Sequence, residues 1–348
     1  MEKKSIFGNE IFEYTGAIHI HSKYSWDSKV ELSKIVKDAK NCQLDFITIN
    51  DHHTCEAKVE ISEQKYDGLY IVVGYEMNDA QRNNHYLIFN FDEILPTSLS
   101  AEEYVKKVSA GNGIGFIAHP IEKRRCKRLR DYQWENWNIT EFDGIEIWNF
   151  LSEWTDSLSI PFNYFAKIIS PNSSIKGPYK DTLKTWDNFN LKGFRKSAIG
   201  STDAHGRSFF TPLANKKLFK TIRTNIFLRE KLSEKNSDQQ ILSALKNGSS
   251  YIANYHRGNP ENFSCYIYSK QSKNFALLGE EIKLSEKELF LSVKLPQKNM
   301  IKIIFNGEII LSEISDTISI PISKSGFYRI EVYKGKFGWI YSNPIYVK

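Results

Sequence analysis

Residues 46–53, Phe46-Ile47-Thr48-Ile49-Asn50-Asp51-His52-His53, begin as an apolar, β-branched run and end abruptly in carboxylate and imidazole. Phe46–Asn50 reads as a strand, because aromatic and β-branched side chains suit a pleated, buried surface. Upstream, Leu32–Cys42 carries Leu32, Ile35, Val36 and Ala39 at the spacing of an amphipathic helix. Further upstream, Ala17–His21 begins a second strand that also runs into histidine. Strands alternating with helices predict a parallel sheet.

The alternation continues outward to about residue 255. Leu69–Gly74, Tyr86–Asn90, Ile114–Ala118, Gly144–Trp148, Ser197–Gly200 and Asn225–Leu228 read as extended, while Ala101–Ala110 and Ile241–Lys246 read as helical. About 250 residues of such alternation is the size of a closed β/α barrel. From about Arg257 the helical stretches stop. Cys265–Ser269, Leu289–Leu295, Ile301–Phe305, Ile318–Ile322 and Tyr328–Tyr333 are short runs parted by turn signals such as Asn306-Gly307. They predict a small antiparallel sandwich. The expected division is a barrel over 1–257 and an all-β sandwich over 258–348, parted at Gly258-Asn259-Pro260. Lys167–Asn190, polar and holding Pro171 and Pro178, is expected to be a long loop.

The 348 residues are 41% hydrophobic and 25% charged, which excludes disordered and fibrous classes. Charge is 47 − 41 = +6, too mild to name a nucleic-acid or membrane partner. Cys42, Cys55, Cys126 and Cys265 show no CxxC spacing and read as reduced thiols. The start, MEKKSIFGNEIFEYTG, lacks the apolar centre of a signal peptide, and no run approaches the ~18 apolar residues of a membrane span. A soluble, cytoplasmic protein with no membrane partner is expected.

Histidine and carboxylate gather at the strand ends. Two histidines at i and i+2 on a strand, as in His19-Ile20-His21, point the same way and can grip one metal ion. Asp27 follows; later runs end in Asp51-His52-His53, Gly74-Tyr75-Glu76 and His119-Pro120, His85 begins Tyr86–Asn90, and Asp203-Ala204-His205 closes the set. Six of the eight histidines, 19, 21, 52, 85, 119 and 205, fall at these positions. In a barrel the carboxyl ends of the strands share the catalytic face. Imidazole and carboxylate without thiolate suit Zn, Mn or Fe. Nine donors are too many for one ion and point to two or three, with a carboxylate such as Glu76 bridging.

The strings His-x-His, Asp-His-His, Gly-x-Glu, Ala-His-Pro and Ser-x-Asp-Ala-His-Gly resemble the motifs of the polymerase and histidinol phosphatase (PHP) family of metallophosphoesterases. The resemblance covers residues 14–255, with the motifs in the family's order. It implies a distorted (β/α)7 TIM-like barrel with a trinuclear centre of zinc, manganese or iron. By the same resemblance His19, His21 and Asp203 hold one ion, Glu76 bridges to a second held with His85 and His119, and Asp27, His52 and His205 hold the third. Some relatives carry histidine where this chain has Asp27. Asp51 stands where the family places a group that orients His52, and His53 stands at the rim or near a leaving group. The C-terminal run Ile340–Val347 resembles, less specifically, the end of a β-sandwich in a branch that includes carbamate-hydrolysing relatives.

The expected activity is hydrolysis of a phosphate ester, on a nucleotide or small phosphorylated metabolite, with a metal-bridging hydroxide as nucleophile. Asp51, His53 and Arg207 are the candidate catalytic residues, and Lys23, Arg124, Arg125 and Arg207 the candidate phosphate-binding cations. Lys123–Arg130 places six cations in eight residues beside His119-Pro120, with Tyr132, Trp134 and Trp137 following. That run allows nucleic acid as a partner, and trimming of nucleic-acid ends is an alternative. A metal-dependent amide or carbamate hydrolase, and a non-catalytic barrel whose sandwich binds a partner, are the others.

Overall fold

Every residue from Phe46 to His52 is buried, as a strand is when both faces of its sheet are covered. The computed structural model describes residues 2–62, 66, 68–159, 163–206 and 213–348. Its first strands are β1 (Glu2–Ile6), β2 (Asn9–Ile20), β3 (Phe46–His52), β4 (Tyr70–Met77) and β5 (Tyr86–Phe89). They are followed by β6 (Ile114–Ile117), β7 (Gly144–Asn149), β8 (Ser197–Ser201), β9 (Ile222–Leu228) and β10 (Ser250–Asn254).

β2, β3 and β4 pair in parallel, as do β6, β7 and β8. Between them β5 runs antiparallel to both neighbours. The strand run comes back on itself just past β8, where Ala204 bridges in parallel to Ile20. There the His21 N–H donates to the Ala204 carbonyl at 2.9 Å and the Ala204 N–H to the His19 carbonyl at 3.1 Å. Because β5 is reversed, its amino end lies at the rim where the parallel strands finish. His85 therefore shares that rim although it precedes its strand.

Helices cover this layer. Ala101–Ala110 opens with a capping box in which Ser100 and Glu103 satisfy each other's backbone N–H groups. Ser237–Asn247 stops at Gly248, whose φ of 73° suits a residue without Cβ. The loop expected over Lys167–Asn190 is instead a short helix, Tyr164–Ile169, one 3-10 turn, and a helix over Lys180–Leu191. The longer helix forms because Leu183, Trp186 and Phe189 recur every third residue and are buried together, a stripe obscured by the polar residues between them.

The remaining strands are β11 (Ser264–Ser269), β12 (Phe275–Ala276), β13 (Glu281–Ile282), β14 (Leu289–Phe305), β15 (Glu308–Ile322), β16 (Gly326–Lys334), β17 (Phe337–Ser342) and β18 (Ile345–Val347). They pair antiparallel apart from β13 with β18. The fold is thus mixed α/β with a largely antiparallel C-terminal part. Hydrogen bonding runs across the division expected near residue 258, since β10 pairs with β17 from Tyr251–Ser342 to Ala253–Ile340. Asn343 reaches back as well: its Nδ2 donates to the Ala198 carbonyl at 2.9 Å and its Oδ1 accepts from the Ala198 N–H at 2.7 Å. Ile6 and Ile11 of the β1–β2 hairpin share one apolar core with Phe263, Ile303 and Trp339. Among the described residues no helix is long and apolar enough to cross a membrane.

Candidate metal centre

β2 carries one residue more than β3 across the same span. Ala17 pairs with Ile47, yet the partner of Ile49 is Ile20. The bulge puts His19 at φ 64°, in the left-handed region. Plain strand alternation therefore does not explain how His19 and His21 come together. His21 lies past the end of β2, and the bulge brings the two rings to 5.1 Å between centroids. Asp203 at φ 51° and His119 at φ 25° are also in positive-φ conformations. Such backbone persists only where surrounding contacts over-determine it, and it clusters at functional sites.

Glu76, at the end of β4, joins two pairs of histidines. Its Oε2 lies 3.0 Å from His19 Nε2 and 3.3 Å from His21 Nε2. Its Oε1 lies 2.6 Å from His85 Nδ1 and 3.2 Å from His119 Nε2. Asp203 Oδ1 faces His21 Nε2 at 3.4 Å, His205 Nδ1 at 3.5 Å and His19 Nε2 at 3.6 Å. Asp27 Oδ2 lies 2.9 Å from His205 Nε2 and 3.3 Å from His52 Nε2. Three sets thus offer ligand atoms mutually within 4.8 Å: His21, Asp27, His52 and His205; His19, His21 and Glu76; Glu76, His85 and His119.

The electrostatics favour positive charge at these nitrogens. Burial alone lowers an imidazole pKa, but Asp203 and Glu76 outweigh it at His21 and lift that ring to about 10. At His119 the Glu76 hydrogen bond likewise overcomes burial and lifts the ring to about 9. Burial prevails at His52, which is lowered. Glu76, Asp203 and Asp27 stay well below the carboxylate range despite burial, held down by the surrounding histidines. The Nε2 atom of His85 is buried without a hydrogen bond, which is costly unless something else meets it. Donor type, geometry and this orphaned nitrogen fit a polynuclear metal site.

Glu146, in the middle of β7, escapes the sequence reading. Its Oε1 lies 2.9 Å from His19 Nδ1, and its Oε2 accepts from the His119 N–H at 2.7 Å and from Asn149 Nδ2 at 2.8 Å. Its signal was a lone carboxylate in the apolar run Gly144–Trp148, a position that requires a buried partner. Ser25 is a second addition, donating to Asp27 Oδ1 at 2.7 Å and accepting from the His52 N–H at 3.2 Å.

The other expected residues are placed differently. Asp51 is buried but does not orient His52 through its carboxylate: Oδ1 accepts from the Ser22 N–H at 2.5 Å and Oδ2 from Ser22 Oγ at 2.6 Å, fixing the turn after His21. His53 turns its Nε2 to Asn78 Oδ1 at 2.8 Å. Lys23 is taken up by Glu31 at 2.7 Å and Glu60 at 3.0 Å and does not line the cavity described next. Arg124 does line it, with its guanidinium held by Glu122 at 2.6 Å and by Asp156. Arg125 is exposed. Arg207 lies outside the described residues. A cavity of about 650 Å³ opens on the histidine face.

The family model of the PHP domain matches residues 17–141. The uncharacterized protein MJ1587 of Methanocaldococcus jannaschii is 32% identical over 143 residues, which is 38% of this chain and 80% of that protein. A solved structure from Bifidobacterium adolescentis, provisionally described as a metal-dependent phosphoesterase, is similar at a TM-score of 0.38 and 16% identity, over 55% of this chain and 88% of that one. Endonuclease Q, solved with a 27-mer duplex carrying an abasic lesion, is similar at a TM-score of 0.41 and 15% identity, over 73% of this chain and 63% of that one.

Proposed function

This chain belongs to the PHP domain family, whose members are metal-dependent hydrolases, and we propose that it hydrolyses the phosphate ester of a small molecule. The observation that carries this is Glu76, which presents one oxygen to His19 and His21 and the other to His85 and His119. On this reading β2–β8 form a distorted (β/α)7 barrel and the C-terminal strands a β-sandwich. His19, His21 and Asp203 would hold one ion, Glu76, His85 and His119 a second, and Asp27, His52 and His205 a third. Zinc, manganese or iron bound there would supply Lewis acidity for the phosphoryl oxygens and make water nucleophilic near neutral pH. The chain's own part is positional. Glu146 holds the ring of His19, Ser25 holds Asp27, and Ser22 with Asp51 holds the turn between them.

A small substrate is favoured over nucleic acid because three of the six cations in the basic run, those nearest the cavity included, already meet neighbours. Lys123 pairs with Asp181 at 2.5 Å, Arg124 with Glu122 and Asp156, and Arg130 donates to the Gln81 carbonyl. No feature favours an amide over a phosphate ester. The test is the His19→Ala, His21→Ala double variant, assayed for bound metal and for hydrolysis of a phosphate-ester panel after loading with Mn, Zn or Fe. Loss of both is expected. Full activity in that variant overturns the reading.

A further inference from the structure

Trp26 is 72% exposed, leaving much of a large apolar ring open to solvent. It stands at the cavity mouth, its ring 5.5 Å from that of His52 and stacked on it. The Arg82 guanidinium lies 6.0 Å from the Trp26 ring centroid and makes no ion pair among the described residues. A similar aromatic–cation pair stands by the other histidine set: the Tyr132 ring is 5.1 Å from His85, with the Arg130 guanidinium 5.4 Å from its centroid. Beyond these rings an apolar part of the cavity wall is built from Leu129, Leu151, Trp154 and Leu158. Glu122, Arg124 and Ser152, which also line it, are engaged with one another. Glu122 takes Arg124 at 2.6 Å and Ser152 Oγ at 2.5 Å.

From this arrangement we infer that the leaving group is an aromatic ring: the substrate is an aryl phosphate ester, not a sugar or polyol phosphate. The inference rests on the phosphoesterase reading and adds the substrate class. The phosphoryl end meets the histidine face, and the ring lies against Trp26 and Tyr132 and in the apolar wall. Among the described cavity-lining residues, Arg82 and Arg130 pair with no carboxylate and can neutralise remaining phosphoryl charge. A cavity of about 650 Å³ has room for such a ligand. A polyol fits badly, because its hydroxyls would be desolvated against carbon, and an enclosed unpaired hydroxyl costs binding. A ring gains from stacking, since aromatic pairs attract beyond the area they bury.

The test uses the metal-loaded full chain and two non-hydrolysable probes, phenylphosphonate and methylphosphonate, with binding read by calorimetry. Phenylphosphonate is expected to bind at least about tenfold tighter, the scale of one stacked ring. Trp26→Ala, at an exposed position, is expected to erase most of that difference. Equal affinity for the two probes, or a Trp26→Ala variant that keeps the difference, overturns the inference. Hydrolysis of phenyl phosphate, glycerol phosphate and ribose 5-phosphate is measured alongside. Ring-dependent binding with no ester cleaved supports the ring site while overturning the phosphoesterase reading. Cleavage of all three esters at equal kcat/KM, with equal binding of the probes, does the reverse.

Discussion

The carboxylate of Glu146 meets His19 Nδ1 at 2.9 Å, opposite the Nε2 that faces Glu76 at 3.0 Å. A carboxylate can only accept, so His19 donates from Nδ1 to Glu146, and a cation held at Nε2 would take the lone pair there in place of the proton now shared with Glu76. Burial raises the Glu146 pKa, but His19 outweighs it and the group is held below its ordinary range. Glu146→Gln removes the charge and keeps the shape. Metal affinity is expected to fall about 10–100-fold, read by chelator competition on folded protein; the amide can offer oxygen to only one side of donors that now meet both carboxylate oxygens, so the metal-free chain is expected to lose stability as well. Unaltered affinity shows that the contact does not govern the metal.

How much of this could be read beforehand varies residue by residue. The strand-end histidines were legible because each closes an apolar run, and a parallel strand delivers its last residues to the rim. His85 was found for an incomplete reason, since the reversal of β5 depends on pairing that no local pattern reveals. His19 and His21 lie together, but through a bulge and not through alternation. Glu146 escapes such a reading because β7 ends in Asn149 and carries no histidine. Lys23 and Arg124, the candidate phosphate-binding cations, meet Glu31 and Glu60, and Glu122 and Asp156. Such pairings join residues far apart in the chain and exist only once the fold has formed.

Glu153 gives a pH dependence away from the metal face. Burial pushes its carboxyl up from 4.5 to about 7, against hydrogen bonds from the Lys176 N–H, Trp148 Nε1 and the Gly177 N–H. Between pH 4.5 and 7 the unfolded chain releases this proton while the folded chain keeps it. The native state then binds more protons, so this group's contribution to stability falls as pH rises through that window and is flat above it. Glu153→Gln cannot titrate and should flatten the fall. The glutamine amide can offer oxygen to only one of Trp148 and Lys176, so its absolute stability at pH 5 is expected to be lower. The comparison is the slope of urea-unfolding free energy between pH 5 and 7; identical slopes in both proteins rule the argument out.

Arg329 of β16 is the third case. Its guanidinium meets Asp187, on the helix Lys180–Leu191, through contacts of 2.7 and 2.6 Å, and Glu331 at 2.7 Å. All three side chains are buried. Removing one member of a buried ion pair leaves the other charge stranded, at a cost of roughly 3–5 kcal/mol. The partners are unequal here. Asp187→Ala leaves Arg329 with Glu331, whereas Arg329→Met leaves two carboxylates facing each other with no cation. Arg329→Met should therefore destabilise more. Asp187→Leu combined with Arg329→Met should recover part of the loss, because a well-packed apolar pair avoids the desolvation of both ions. Urea titrations of the three variants and the parent give the ordering. Equal losses in the two single variants, with no recovery in the double variant, show that the triad contributes shape and not charge.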